Sequence, residues 1–98
     1  MLSPETGPVI VGFVVIGRNE GDRLEQCLRA LDPGRQPMVY ADSVSTDGSP
    51  DRARALGAEV VVLDESEPLT AARGRMAGLA ALRTAHPECR YVHFIDGD

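Results

Sequence analysis

The sequence predicts an α/β fold: a four-stranded, mainly parallel sheet with helices on both faces. Three observations predict it. Short runs rich in apolar and β-branched residues alternate with segments whose apolar residues recur at helical spacing. The first run, Val-Ile-Val-Gly-Phe-Val-Val-Ile at 9–16, is almost continuously apolar, as expected of a strand covered on both faces. Polar clusters follow the first, second and fourth runs, where a doubly wound sheet binds its ligands. With right-handed crossovers, the order β-α-β-α-β-α-β gives a Rossmann-like layer of strands between helices.

Each element carries its own signal. After the first strand, residues 17–21 (Gly-Arg-Asn-Glu-Gly) form a loop. Leu24, Cys27, Leu28 and Leu31 then fall at i, i+3, i+4 and i+7, one apolar stripe of a helix that Asp32, Pro33 and Gly34 stop. Residues 37–41 read as the second strand and 42–48 as a polar loop. Ser49, Pro50 and Asp51 predict a helix start, with Ser49 as N-cap, Pro50 at the first helical position and an acid in the first turn. Gly57 is placed to close that helix as its C′ residue. Residues 59–63 read as the third strand and 64–68 as an acidic loop. A third helix runs from Leu69 or Thr70 to about Thr84, with Ala72, Met76, Leu79 and Leu82 on or near one face. His86 and Pro87 end it, and residues 91–95 form a fourth strand, read as buried, that leads into Asp96, Gly97 and Asp98. Residues 1–8 read as a tail and 9–98 as one domain.

Composition narrows the function. A net charge of −5 over 98 residues leaves no broad basic footprint for nucleic acid. Cys27 and Cys89 belong to no metal-binding or redox motif and read as free, half-buried thiols of a reducing, cytoplasmic setting. No basic segment precedes the first apolar run, which is about half of what a membrane span needs. The expectation is a soluble chain without a membrane segment, with membrane association of a longer protein left open.

The polar clusters carry the chemistry. Asp96 and Asp98 stand two apart after an apolar strand. A divalent cation with a preference for hard oxygen ligands, Mg²⁺ or Mn²⁺, would neutralise them and bridge to a diphosphate, although a solvated turn has the same composition. Asp42 closes the second strand, where a carboxylate can accept from a base or ribose; the alternative is a turn rich in Asx and Ser bonds. Gly17, Arg18, Asn19 and Glu20 match neither a dinucleotide fingerprint nor a Walker A loop. Arg73 and Arg75 lie early in the third helix, suited to an anion or to a solvated basic side.

Taken in order, residues 14–20 (Val-Val-Ile-Gly-Arg-Asn-Glu), 39–49 (Val-Tyr-Ala-Asp-Ser-Val-Ser-Thr-Asp-Gly-Ser), 71–75 (Ala-Ala-Arg-Gly-Arg) and 92–98 (Val-His-Phe-Ile-Asp-Gly-Asp) resemble family 2 glycosyltransferases with the GT-A fold, over nearly the whole chain. The resemblance implies an inverting transferase that takes a sugar from a UDP-, GDP- or dTDP-linked donor. It implies that Gly17, Arg18, Asn19 and Glu20 line the base and ribose, that Asp42 contacts the base with Ser43 in the same donor site, and that Arg73 lies near the nucleotide. It further implies that Asp96 and Asp98 form a DxD pair, with Asp98 the direct ligand of Mn²⁺ or Mg²⁺ and Asp96 nearer the ribose or a bound water. Gly17-Arg18 replaces the family's usual Pro-Thr, and Ser43 stands where a second Asp is common. The family's acceptor half and general base would lie beyond residue 98, so the expectation is a donor-binding half, truncated at the DxD and inactive by itself. A sheet edge left uncovered would let such chains self-associate. Two other classes fit parts of the pattern: a toprim-like metal-dependent nucleic-acid domain, and a nucleotide-binding or regulatory module without catalysis.

Overall fold

In a computed structural model of the chain, the described residues are 10–32 and 35–96. Seven elements alternate as read from the sequence: β1 (Val11–Gly17), α1 (Gly21–Leu31), β2 (Met38–Asp42), α2 (Ser49–Ala55), β3 (Glu59–Val62), α3 (Ala71–Ala85) and β4 (Tyr91–Asp96). Every pairing is parallel, and the strand order is β3-β2-β1-β4. The fold is α/β and Rossmann-like. The expected tail at 1–8, Val9, the Pro33-Gly34 stop and the terminal Gly97-Asp98 lie outside the described residues.

The central strand decides how the core divides. Successive side chains of β1 point to opposite faces, and both directions are buried. Val15 packs on one side with Leu24 and Leu28 of α1, Met38, Tyr40 and Ala53. Val14 and Ile16 pack on the other with Val39, Ala41 and Leu82 of α3. The stripe expected on α1 is the one buried: Leu24 and Leu28 are inaccessible, with Cys27 and Leu31 packed beside them. Burying each leucine contributes about 2 kcal/mol. α1 ends where Asp32 turns to φ 57° and its N–H reaches back to the carbonyls of Leu28 and Arg29. α2 ends at Leu56, with Gly57 at φ 102° as the C′ residue; Gly57 N–H bonds the Arg54 carbonyl and Ala58 N–H that of Ala53. This is a Schellman closure.

Three expectations are corrected. Ser49 is not the N-cap of α2. The cap is Gly48, at φ 83°, and Ser49 is the first helical residue, its N–H and hydroxyl both donating to Asp47 Oδ1 at 3.0 and 2.5 Å. The carboxylate one residue upstream of the cap outcompetes the hydroxyl as acceptor. The packed face of α3 is not the one through Ala72 and Met76, both of which are exposed, Met76 at 65%. Leu82 of the expected face is buried, joined by Gly74 and Gly78 rather than by Ala72 and Met76. A purely apolar count misses this face because two of its members have no side chain. Nor is β4 covered on both faces: it is the edge of the described sheet, with Tyr91 62% exposed and Phe94 also exposed. His93 is exposed, its ring 5.8 Å from that of Phe13.

The glycines of α3 set how closely that helix approaches β1. A Cβ added at Gly78 would collide with Cγ1 of Val14, and one at Gly74 would come within 3.3 Å of Ile16 Cγ2. In an exposed helix, Gly→Ala is stabilising by about 1 kcal/mol. Here the sign should reverse: Gly78→Ala is expected to destabilise the chain by about 1–3 kcal/mol through overpacking, and Gly74→Ala by less. Urea denaturation of the two variants beside the parent checks the ranking, and a more stable Gly78→Ala would refute the close helix–sheet contact.

Candidate functional site

The strand order creates one topological switch. From β1 the chain passes through α1 to β2 and on to β3, then crosses back through α3 to β4 on the other side of β1. In sheets of this kind ligands bind where the strand order reverses, outside the carboxyl ends of the strands. The ends are level: Gly17 pairs with Asp42, and Ile16 with Asp96. The loop containing Arg18, Asn19 and Glu20, the turn after Asp42, and Asp96 are thereby brought to one edge. Strand alternation sends Asp42 and Asp96 to opposite faces of the sheet, with the end of β1 between them.

Asp42 is fully buried, at 0% exposure. Its Oδ1 accepts from the Tyr40 hydroxyl at 2.6 Å and from the Ser45 hydroxyl at 2.5 Å, and its Oδ2 accepts from the Ser45 N–H at 2.7 Å. The Ser45 oxygen in turn accepts from the N–H of Asn19 at 2.8 Å, and the Asn19 side-chain oxygen accepts from the N–H of Thr46 at 2.7 Å. The Ser43 N–H adds a bond of 3.0 Å to the Gly17 carbonyl. The loop after β1 and the turn after β2 are therefore clasped together by three hydrogen bonds between 17–19 and 43–46. Burial, and then the bond to Asp42, push the Tyr40 phenol well above its ordinary value, so it serves as a donor at any physiological pH. Asp47 works locally: hydrogen bonds led by that from the Ser49 hydroxyl hold its carboxyl below its ordinary value.

The remaining expected residues fall in three places. Glu20 precedes α1, its carbonyl accepting from the N–H groups of Arg23 and Leu24, and Arg18 is exposed. Arg73 is committed to its own loop. Its Nη1 donates to the carbonyls of Glu67 and Pro68 at 2.9 and 2.7 Å, its Nη2 to that of Asp64 at 3.1 Å, and the Glu67 carboxylate lies 3.5 Å away. Its N–H is capped by Thr70 Oγ1. Arg73 thus holds the 64–68 loop against the start of α3. Asp96 is exposed at the end of β4, while its expected partner Asp98 lies outside the described residues. Among the described residues no three His, Cys, Asp or Glu side chains cluster as a metal cage. Cys27 and Cys89 are free and half-buried, and burial raises both thiols.

Two features of the site were missed in the sequence. Tyr40 stands two residues before Asp42 and so shares its face of β2; that spacing could have disclosed the pair. Val44 sits at φ 59°, a conformation that is a genuine outlier for a β-branched residue, and nothing in its residue type announces it.

This architecture defines an α/β, Rossmann-like class of fold, with its candidate site at the β1/β4 switch. The chain is similar to glucosyl-3-phosphoglycerate synthase from Mycobacterium tuberculosis in its complex with Mn²⁺, UDP and glucosyl-3-phosphoglycerate: TM-score 0.69 and 26% identity, over 92% of this chain and 34% of that one. The UDP complex of the same synthase gives 0.68 and 25% over the same shares. The chain spans about a third of the synthase's length. Glycinamide ribonucleotide transformylase 1 from Symbiobacterium toebii, at TM-score 0.51 and 22% identity, shares the fold alone. No protein-family profile and no curated protein matches the sequence. No helix among the described residues is long and apolar enough to cross a membrane.

The strain at Val44 is testable. Val44→Gly removes a left-handed penalty of about 1–2 kcal/mol and adds about 0.5–1 kcal/mol of chain entropy to be lost on folding. A net gain of up to about 1 kcal/mol, or a few degrees in Tm, is expected by differential scanning calorimetry. A lower Tm would show that the Val44 side chain contributes more than its backbone costs.

Proposed function

We propose that this chain is the donor-binding part of a metal-dependent, inverting glycosyltransferase of family 2, taking a nucleoside-diphosphate sugar at the β1/β4 switch. The observation that carries the reading is the similarity, over 92% of the chain, to a sugar-transferring synthase crystallised with UDP and Mn²⁺. The sequence resemblance to the same class, in four segments that fall around this edge, supports it independently of overall shape.

In this reading Gly17, Arg18, Asn19 and Glu20 line the base and ribose. Ser43 adjoins them, Asp42 supports the turn from beneath, and Arg73, which ties the 64–68 loop to the start of α3, lies near the nucleotide. The donor set fits a hard divalent cation: Asp96 is an exposed carboxylate at the strand end, free of described ion pairs, and Asp98 follows two residues on. A cation there needs few protein oxygens, because Mg²⁺ and Mn²⁺ fill their remaining positions with phosphate and water. Asp96 and Asp98 would hold Mn²⁺ or Mg²⁺, which when bound offsets the charge of the departing nucleoside diphosphate. The protein's own part is to bind the donor, orient its diphosphate toward the β4 end and exclude water from one side. Activation of the acceptor requires a general base, which this reading places outside the described residues. A cytoplasmic setting and a UDP-, GDP- or dTDP-linked donor complete the proposal.

Titration calorimetry of the chain with UDP, GDP and dTDP, with and without Mn²⁺, tests it. Binding of one nucleoside diphosphate is expected to require the metal. Asp96→Asn and Asp98→Asn should each weaken it by about tenfold or more, equivalent to ~1.4 kcal/mol. A folded chain that binds none of the three, by circular dichroism and calorimetry together, would refute the donor-site assignment.

A further inference from the structure

The bonding of Asp42 implies a role other than contact with the base. We infer that Asp42, together with Tyr40 and Ser45, is a positioning residue of the donor site, acting on the ligand only through the clasped loops at 17–20 and 43–46. This inference rests on the donor-site reading above and deepens it.

The argument begins with access. Asp42 has no exposed surface, and both of its oxygens already accept hydrogen bonds, two on Oδ1 and one on Oδ2. A base N–H could reach it only by displacing Ser45. Displacement would leave the half-buried Ser45 hydroxyl and N–H without their acceptor and would break the chain that reaches Asn19. The carboxylate is instead the sink of a directed chain. The Asn19 N–H donates to Ser45 Oγ, the Ser45 hydroxyl donates to Asp42, and the Tyr40 hydroxyl donates to the same Asp42 oxygen. Chains of this kind strengthen one another in a low-dielectric interior. Their output is geometric. They hold Asn19 at φ 52°, which an asparagine adopts readily, and Val44 at φ 59°, which a β-branched residue adopts only when its surroundings impose it. The surface that a nucleoside meets is then the pair of fixed loops, and the Tyr40 ring, packed among Val15, Leu24 and Leu28 on the α1 side, anchors that surface to the core.

Positioning and direct base contact predict different things. If Asp42 reads the base, its loss changes preference among bases and Tyr40 is a spectator. If Asp42 positions, removal of any link loosens both loops and weakens all nucleotides alike. The test uses the full chain as parent and as Tyr40→Phe, Ser45→Ala and Asp42→Asn. In the absence of ligand, amide hydrogen exchange at Asn19 and Thr46 is measured by NMR. In the presence of Mn²⁺, the Kd values for UDP and GDP are measured by calorimetry. Tyr40→Phe and Ser45→Ala are expected to accelerate exchange at Asn19 and Thr46 while leaving the amides of Val14 and Val15 unchanged, and to weaken UDP and GDP by the same factor, about tenfold. Combining the two substitutions should cost less than the sum of the single losses, as members of one network do. Unchanged exchange at Asn19 and Thr46 in Tyr40→Phe would overturn the inference. So would a shift in the UDP-to-GDP ratio confined to Asp42→Asn. If the parent binds neither nucleotide, the donor-site reading fails, and the exchange measurements still decide whether the relay governs the loops. Asp42→Asn is the substitution most exposed to misfolding; Tyr40→Phe and Ser45→Ala, which keep the carboxylate, decide the question without it.

Discussion

A carboxylate with no exposed surface stands at the end of β2, and the loops at the carboxyl edge of the sheet are arranged around satisfying it. Burying a charge is unfavourable unless hydrogen bonds replace the lost water. Here three do, from Tyr40 and twice from Ser45. Meeting that requirement bends the chain back within three residues of Asp42 and forces Val44 into the left-handed region. It also presents the Ser45 oxygen to the loop after β1. The shape of two loops on two strands follows from one buried group.

A second constraint acts from the other face of the sheet. α3 must cross behind β1 for β4 to pair on its far side, and the crossing is close because Gly74 and Gly78 place bare backbone against Ile16 and Val14. The first turn of the same helix is tied down by Thr70 and by Arg73, whose guanidinium collects three carbonyls from the preceding loop. The helix that creates the switch between β1 and β4 is thereby held at its start and along its length. A rigid sheet flanked by loops of fixed shape is a suitable platform for a ligand whose recognition depends on the backbone as much as on side chains.

Among the described residues β4 pairs with β1 on one side only, and Tyr91, His93 and Phe94 are exposed along it. Asp96 belongs to the same strand, so its exposure is a property of the edge as well as of the site.

The order of elements, the parallel sheet and the α1 stripe were legible because each depends on local periodicity. Period-two and period-3.6 patterns survive in a one-dimensional string, and the residues that read as Leu24, Leu28 and Gly57 signals are the ones that pack and cap as expected. The sequence by itself also assembled the candidate edge, since the loops that follow parallel strands must emerge on the same side. Tertiary structure decided what those loops do. That Asp42 is buried rather than offered to solvent, that α3 packs through glycines and that β4 lies at the edge all depend on contacts between elements far apart in the chain, whereas Arg73 turns back onto carbonyls of the loop just before its own helix. Burial and the contacts between elements are set by strand order and helix approach, which the spacing of residues along a single element does not encode; the Tyr40–Asp42 pair, two apart on β2, is the exception.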